Sequence, residues 1–327
     1  MKRILLFIAT NIAVLLVLTA VAQLLGLDTW LAERGESFEA ILVWAALFGF
    51  GGAFISLALS KFQAKMFMGV QVIGDSPDPT AQWLVSVVER YAHSLGLRMP
   101  EVGIFESPAP NAFATGASRN SALVAVSSGL LQRMNRQEIE AVIGHEMTHV
   151  ANGDMVTLTL IQGIVNTFVL FLARVVGNII DRAVFRSDDG RGIASILTFY
   201  VLQIVFGLLA TPIVMWFSRQ REFRADRGGA QLAGTGSMIA ALEDLKRGHE
   251  PLPAQQFQAF GIADGGVRGG LARLFMSHPP LDERIAALRA LGTHIDRGGE
   301  RLAGAAARAA RRRVRPHRPA GLRSLSR

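Results

Sequence analysis

The sequence predicts an α-helical integral membrane protein that carries a mostly helical α+β domain with a small sheet. Long uncharged apolar segments predict the membrane part, and polar segments with helical and alternating patterns predict the α+β domain. A third observation is the stretch HEMTH at 145–149, which places two histidines on one face of a predicted helix.

The apolar residues are concentrated in four segments without a charged side chain, at 4–25, 40–59, 155–173 and 193–217. A helix needs about 20 such residues to cross a hydrocarbon core of about 30 Å. The alternative is four buried helices of a soluble protein, whose cores rarely need uncharged segments of this length. The sequence therefore predicts four transmembrane helices.

The first apolar segment also has features of a secretory signal peptide. Lys2 and Arg3 precede it, and the stretch AVA at 20–22 resembles a signal-peptidase site. Because the apolar part is longer than a usual signal core, we expect this helix to remain uncleaved.

Charged residues next to the helix ends predict the orientation. Lys61 and Lys65 follow the second segment and four arginines follow the fourth, whereas the loop at 27–39 is acidic. Cytoplasmic loops carry the excess of Lys and Arg. We therefore expect residues 70–154 and everything after Arg219 to face the cytoplasm.

The net charge of +8 belongs to the end of the chain, because residues 300–327 contain nine arginines and one glutamate. The tail at 299–327 is predicted to be disordered and solvated, or alternatively to lie on anionic lipid. It has no aromatic residue for base stacking, so nucleic-acid binding is not expected. The chain has no cysteine, which excludes disulfides and thiolate metal ligands.

Five segments follow from these patterns: a membrane hairpin at 1–69, a polar segment at 70–154, a second hairpin at 155–217, a polar segment at 218–298, and the tail at 299–327. The two polar segments are either two small domains or two halves of one domain. Each is short for a separate core. We therefore expect one domain assembled from both halves.

The HEMTH motif lies on a helix with a clear start, since Asn135 is a predicted N-cap and Glu138 completes a capping box. His145 and His149 can hold one metal ion, with Glu146 placed to reach a water beside it. This is the HExxH pattern of zinc hydrolases. The alternative is two surface histidines beside a solvated glutamate.

A catalytic zinc site has three protein ligands and one open position. Neither Asn152 nor Met155 fits the extended motif HExxHxxGxxH, whose third histidine would stand at 155, so that motif is excluded. The best third candidate is Glu222 in SRQREFRAD, predicted to open a helix after the fourth span, with Asp226 one turn further as a carboxylate behind a ligand. The alternative for Glu222 is an ordinary ion pair among arginines.

Four motifs in order, SPAPNAFATG, HEMTHVANGD, REFRAD and SHPPLDERIAAL, together with the four spans, resemble the HtpX heat-shock family of membrane zinc proteases and, more distantly, the CAAX prenyl proteases. The resemblance covers about residues 1–295. It implies a zincin-like α+β metalloprotease domain and an endopeptidase that degrades damaged membrane proteins in a bacterial inner membrane. It also implies one Zn²⁺ on His145, His149 and Glu222, with Glu146 catalytic. Asn152 is a further candidate for contacting the ligands.

His278 precedes two prolines and is a candidate for stabilising the oxyanion of the reaction, with Arg284 as a partner. The alternative is a residue that only starts a helix. Related families suggest either contact with the transition state or a fourth, inhibitory zinc ligand.

The stretch NAFATG reads as an edge strand that adds the substrate as a further strand, with main-chain hydrogen bonds from Asn111, Ala112, Phe113 and Ala114. The alternative is a structural hairpin. The expected partners are unfolded or damaged membrane proteins and the lipid bilayer.

Two other functions compete with a cytoplasm-facing endopeptidase. An intramembrane protease would place HExxH inside a span, whereas here the motif precedes its span. A non-catalytic membrane chaperone is disfavoured by a complete set of ligands and a general base.

Overall fold

The computed structural model describes residues 23–24, 26–32, 37–184, 193–248, 276 and 278–291. Nearly all of the first predicted span at 4–25 lies outside these residues. The same holds for the signal-peptidase-like site and for the basic tail at 299–327.

Nine helices and four strands are described, named here in chain order. They are α1 (Leu27–Ala32), α2 (Phe38–Phe67), β1 (Gln71–Val72), α3 (Pro79–Ser94), β2 (Glu101–Phe105), β3 (Ala112–Ser118), β4 (Ser121–Ser127), α4 (Ser128–Arg133), α5 (Arg136–Asn152), α6 (Asp154–Val184), α7 (Ile193–Ala233), α8 (Thr235–Gly248) and α9 (281–291). The predicted class, mostly helical with a small sheet, is confirmed.

Among the described residues, α2, α6 and α7 are long and apolar enough to cross a membrane. They contain the predicted spans at 40–59, 155–173 and 193–217 but extend beyond them. The helix α7 is the largest departure: its 41 residues span about 60 Å, twice the thickness of a hydrocarbon core.

The prediction that Glu222 opens a new helix is therefore wrong. No helix-breaking residue stands between Phe217 and Glu222, so the membrane helix continues into the polar sequence and carries Glu222 in its interior. The proline of α7, Pro212, lies further back and does not end the helix.

The helix α5 starts as predicted. The Asn135 side chain accepts from the backbone N–H of Glu138, and the Glu138 side chain accepts from that of Asn135. It ends at Gly153, which has φ 66° and ψ 34°, the left-handed conformation that glycine adopts without strain. The chain then turns directly into the membrane helix α6.

The sheet has the strand order β1-β2-β4-β3, with β2 and β4 parallel and the other two pairings antiparallel. The sequence predicts strands at EVGIF, NAFATG and ALVAVS, which are confirmed as β2, β3 and β4, and the two-residue strand β1 was not predicted. The strand β4 is buried along six of its seven residues, whereas β3 forms an edge of the sheet in the described part of the chain.

One hydrophobic core joins the sequence before the second membrane hairpin with the sequence after it. The helices α3 and α5 and the sheet pack against α7, α8 and α9 through buried apolar side chains, including Leu84, Val88, Val124, Ile143, Met147, Ala230, Met238, Leu242, Ile285 and Leu288. This core holds α5 and the polar end of α7 side by side.

Candidate metal centre

Two histidines of α5 face one point in the interior of the protein. The Nε2 atoms of His145 and His149 are 3.2 Å apart, because residues four apart lie on one face of a helix. The His145 side chain is buried, and that of His149 is only slightly more exposed.

Glu222 reaches the same point from α7. One carboxylate oxygen, Oε2, lies 3.4 Å from Nε2 of His145, and the other, Oε1, lies 3.3 Å from Nε2 of His149. One ligand atom from each of the three residues lies within 4.8 Å of the others, which is the spacing of a metal site. Residues separated by 73 positions in the sequence thus converge.

A glycine contact lets α5 and α7 approach closely enough for this convergence. A Cβ on Gly228 would lie 2.2 Å from Oγ1 of Thr148, and one on Gly229 would lie 3.0 Å from the backbone nitrogen of His145. Gly144 on α5 faces Gly229 in turn. Side chains at these positions would push the carboxylate of Glu222 away from the histidines.

The other ring nitrogen of each histidine meets a buried carboxylate. Nδ1 of His145 is 2.9 Å from Asp226, and Nδ1 of His149 is 2.7 Å from Asp154. Each contact holds the ring proton on Nδ1 and leaves the Nε2 lone pair free to bind a metal. Asp226 was predicted for this kind of position, whereas Asp154 was missed, although it follows the helix-ending Gly153 directly.

Each of these carboxylates lies beside a buried arginine. Arg284 of α9 binds Asp226 through two hydrogen bonds, of 2.8 Å from Nε and 2.5 Å from a terminal nitrogen. Arg221 donates to the backbone carbonyl of Asp154 at 2.8 Å. Arg284 therefore lies behind His145, where it neutralises the charge of Asp226.

The centre of the cluster requires a positive charge. Two Nε2 lone pairs and a carboxylate point at one another, and Oε2 of Glu222 is buried without a hydrogen bond of acceptable geometry. Burial would lower the pKa of His149, but Asp154 and Glu222 outweigh it and raise that pKa to about 10. Two histidines and one carboxylate are ligands that zinc prefers, so the residues fit a divalent cation.

Glu146 and His278 lie beside the cluster. Glu146 is half-buried on α5, between the two histidines in sequence, and its negative charge also favours the protonated form of His149. His278 is 61% exposed, and its Nδ1 lies 2.8 Å from Oε2 of Glu222. Asn152 is the last residue of α5, and its role stays a prediction.

The edge strand β3 lies against α5, near the cluster. The main chain of Asn111 turns inward: its N–H donates to Oγ of Ser127 at 2.9 Å, and its carbonyl accepts from the N–H of Ser127 at 2.8 Å. Along an antiparallel strand, residues alternate between bonding the neighbouring strand and turning their N–H and C=O groups away from it. The main-chain groups of Phe113 therefore also face β4, while those of Ala112 and Ala114 turn outward. The prediction that all four residues offer outward hydrogen bonds is therefore too broad.

Residues 78–292, which contain every residue of the cluster, match peptidase family M48. The chain belongs to this family, and the fold and site are those of a membrane-bound metallopeptidase. Within the family its relatives are HtpX proteases. It is 60% identical over 292 residues to the protease HtpX homolog of Thiobacillus denitrificans, which covers 89% of this chain and 100% of the relative. It is 60% identical over 295 residues to protease HtpX of Thioalkalivibrio sulfidiphilus, covering 89% and 99%.

A solved structure shows the same fold. The chain is similar to the crystal structure of S. mikatae Ste24p with a TM-score of 0.56 and 19% sequence identity, over 86% of this chain and 66% of that one. The resemblance to the HtpX family inferred from the four motifs is thus confirmed.

Proposed function

We propose that the protein is a zinc-dependent endopeptidase that cleaves misfolded or damaged membrane proteins on the cytoplasmic side of a bacterial inner membrane. The observation that carries this proposal is the convergence of His145, His149 and Glu222, with both outer ring nitrogens held by carboxylates. These three residues would hold one zinc ion.

The chemistry that bound zinc supplies is polarisation of the peptide carbonyl and acidification of the attacking water. Glu146 accepts the proton from that water and returns it to the leaving amine. Asp154 and Asp226 keep the two histidines in the tautomer that presents Nε2 to the metal. Arg284 holds the carboxylate of Asp226 in place, and Arg221 holds the main chain at Asp154.

The substrate binds as an added strand along β3. Ala112 and Ala114 offer their main-chain groups to the substrate, so binding is nearly independent of substrate sequence. This suits an enzyme whose substrates share an unfolded state rather than a common motif.

His278 is proposed to contact the substrate. Its ring is exposed while Nδ1 lies beside Glu222, so Nε2 remains available for the developing oxyanion. Arg284 binds Asp226, which supports the position of His145, and its Nη1 also lies 3.5 Å from Oε2 of Glu222.

The side of the membrane follows from charge. Lys61 and Lys65 at the end of α2 lie 2.7 and 2.6 Å from Glu101 of the sheet, and four arginines follow the apolar part of α7. This basic side, next to the metal cluster, is the cytoplasmic side by the excess of Lys and Arg.

The test is the Glu146→Gln variant, assayed for cleavage of casein and of an unfolded membrane protein in detergent. We expect turnover to fall at least about 100-fold while the zinc content per chain stays the same, because the variant removes a proton acceptor and no ligand. The matched control is Glu140→Gln on the same helix, where the side chain pairs with Arg90 outside the site and activity should persist. Turnover retained by Glu146→Gln would exclude the proposed mechanism.

A further inference from the structure

A polar cavity lies between the two membrane helices that follow the metal motif. Its volume is about 180 Å³, and residues of α6 and α7 line it, among them Gln162, Val165, Asn166, Gln203, Gly207 and Thr211. Three of these side chains are amides, which are expensive to place in hydrocarbon. Hereafter this site is called the amide cavity.

The amide cavity lies deep in the predicted span. Asn166 is 12 residues from the start of α6, or about 18 Å along the helix. This depth is near the middle of a hydrocarbon core of about 30 Å. Polar side chains at such a depth face a cavity or a partner rather than lipid.

The amides do not hold the two helices together. Gln162 donates to Asn166 at 2.8 Å, but both residues are on α6. Across the cavity, Gln203 of α7 makes no hydrogen bond to any residue that the structure describes. Pro212, next to the lining residue Thr211, also lacks the N–H that would bond the carbonyl of Leu208 in a regular helix.

The volume of the amide cavity and the exposure of α7 indicate what kind of group the cavity can bind. The volume is below the roughly 300 Å³ of a usual small-molecule site but ample for one polar side chain. Of the most apolar 18-residue stretch of each span, the buried share is 6% in α7 and 22% in both α2 and α6. Among the described residues, α7 is thus the least covered of the three spans, and part of its exposed surface lies beside the cavity.

We propose that the amide cavity binds an amide or hydroxyl side chain from a transmembrane helix of the substrate. This inference rests on the proposed function, because it specifies which membrane proteins the enzyme engages. In an assembled membrane protein such side chains are paired with neighbouring helices. An unassembled helix leaves them unpaired, and hydrogen bonds to Gln203 and Asn166 would favour its binding beside the protease domain.

Cross-linking tests the inference without requiring proteolysis. The chain has no cysteine, so Val165→Cys in the cavity can form a disulfide with a single cysteine next to the mid-membrane residue of a model transmembrane peptide. The full chain carries Glu146→Gln and is reconstituted in liposomes with peptides that differ only in having Asn or Leu at that residue. We expect the Asn peptide to cross-link about threefold more than the Leu peptide.

The preference should disappear when Gln203→Leu and Asn166→Leu are added, and it should persist with Gln82→Leu, the same change on the exposed face of α3. Ile204 of α7 is 64% exposed. A cysteine at this position should cross-link the Asn and Leu peptides equally. Equal cross-linking of both peptides at Val165→Cys, or a preference that survives both leucine substitutions, would overturn the inference. If the wild-type protein does not cleave casein, that result would instead contradict the proposed function.

Discussion

His149 is held from outside the metal position by Asp154, and Asp154 is held in turn by Arg221 of another helix. His145 is held in the same way by Asp226, but here Arg284 binds the carboxylate itself, whereas Arg221 binds the main-chain carbonyl of Asp154. The two carboxylates belong to different helices, since Asp154 is in α6 and Asp226 is in α7. Asp154 is the first residue of the membrane helix α6, so the orientation of one metal ligand depends directly on how the membrane hairpin is seated.

Asp154→Asn tests this contact at the residue scale. The amide keeps the shape of the side chain but removes the charge that holds the ring proton on Nδ1 of His149. We expect the affinity for zinc to fall about 10-fold to 100-fold, measured by competition with a chelator. Asp75→Asn, an exposed aspartate remote from the cluster, should bind zinc as the wild type does. Equal affinity in both variants would mean that Asp154 does not orient the ligand.

At the scale of elements, the site depends on the crossing of α5 and α7. Glu222 meets the histidines because glycines at the crossing replace side chains that would separate the helices. The helix α7 also matters, since it runs from the membrane span to Glu222 with no loop between them.

Gly228→Ala tests the crossing. The added Cβ would overlap the Thr148 side chain, including its Cβ at 2.8 Å, and the helices must separate. We expect a loss of about 1–3 kcal/mol in the free energy of unfolding together with weaker zinc binding. Thermal unfolding in detergent and a zinc titration measure the two effects. Gly236→Ala on α8 is the matched control, because nothing lies within 4 Å of its added Cβ. A variant at 228 with normal zinc affinity would contradict the close crossing.

A second contact between elements links α4 to α8. Arg133 donates to the Asp244 carboxylate at 2.8 Å, and Arg247 donates to its other oxygen at 2.9 Å. Partial burial would raise the pKa of Asp244, but Arg247 and Arg133 lower it below its ordinary value. This ion pair joins the sequence before the membrane hairpin to the sequence after it.

Asp244→Asn should therefore destabilise the protein in a pH-dependent way. A carboxylate whose pKa is lowered by folding contributes stability above its unfolded pKa of about 3.9, and this contribution is lost as pH falls through the folded pKa. We expect a deficit of about 1.5–3 kcal/mol at pH 7 that shrinks as the pH falls below about 4. Thermal unfolding of both proteins across this range measures it. Asp282→Asn, in an exposed pair with Lys246, should have little effect at any pH. A deficit at Asp244→Asn that does not change with pH would contradict the role of the charge.

At the scale of the whole molecule, the protease domain is continuous with its membrane anchor. The core contains residues from both sides of the hairpin, and the candidate metal ligands come from both sides as well. Neither half contains the complete candidate site.

Cysteine labelling tests the orientation of the molecule. Thr29→Cys lies in the acidic loop, and Asp75→Cys lies on the side of the protease domain. In intact cells whose outer membrane admits the reagent, an impermeant thiol reagent should label the first and not the second. Both should react after the inner membrane is opened, which shows that each cysteine is accessible. The reverse pattern in intact cells would place the active site on the other side of the membrane.

The sequence by itself determined the features that depend on neighbouring residues. The capping box at Asn135, the strands flanking SPAP, the apolar spans and the one-face spacing of His145 and His149 all follow from local periodicity. Glu222 was found as a candidate because it follows the fourth span and Asp226 comes one helical turn later, which suits a ligand with a carboxylate behind it.

Only the tertiary structure decided which groups meet. The partnership of Asp154 with His149, the side of β3 that Asn111 faces, and the assignment of Arg284 to Asp226 depend on distances of a few ångströms between elements. Such distances are set by how helices pack, through contacts such as Gly228 against Thr148, and no local pattern in the sequence records them.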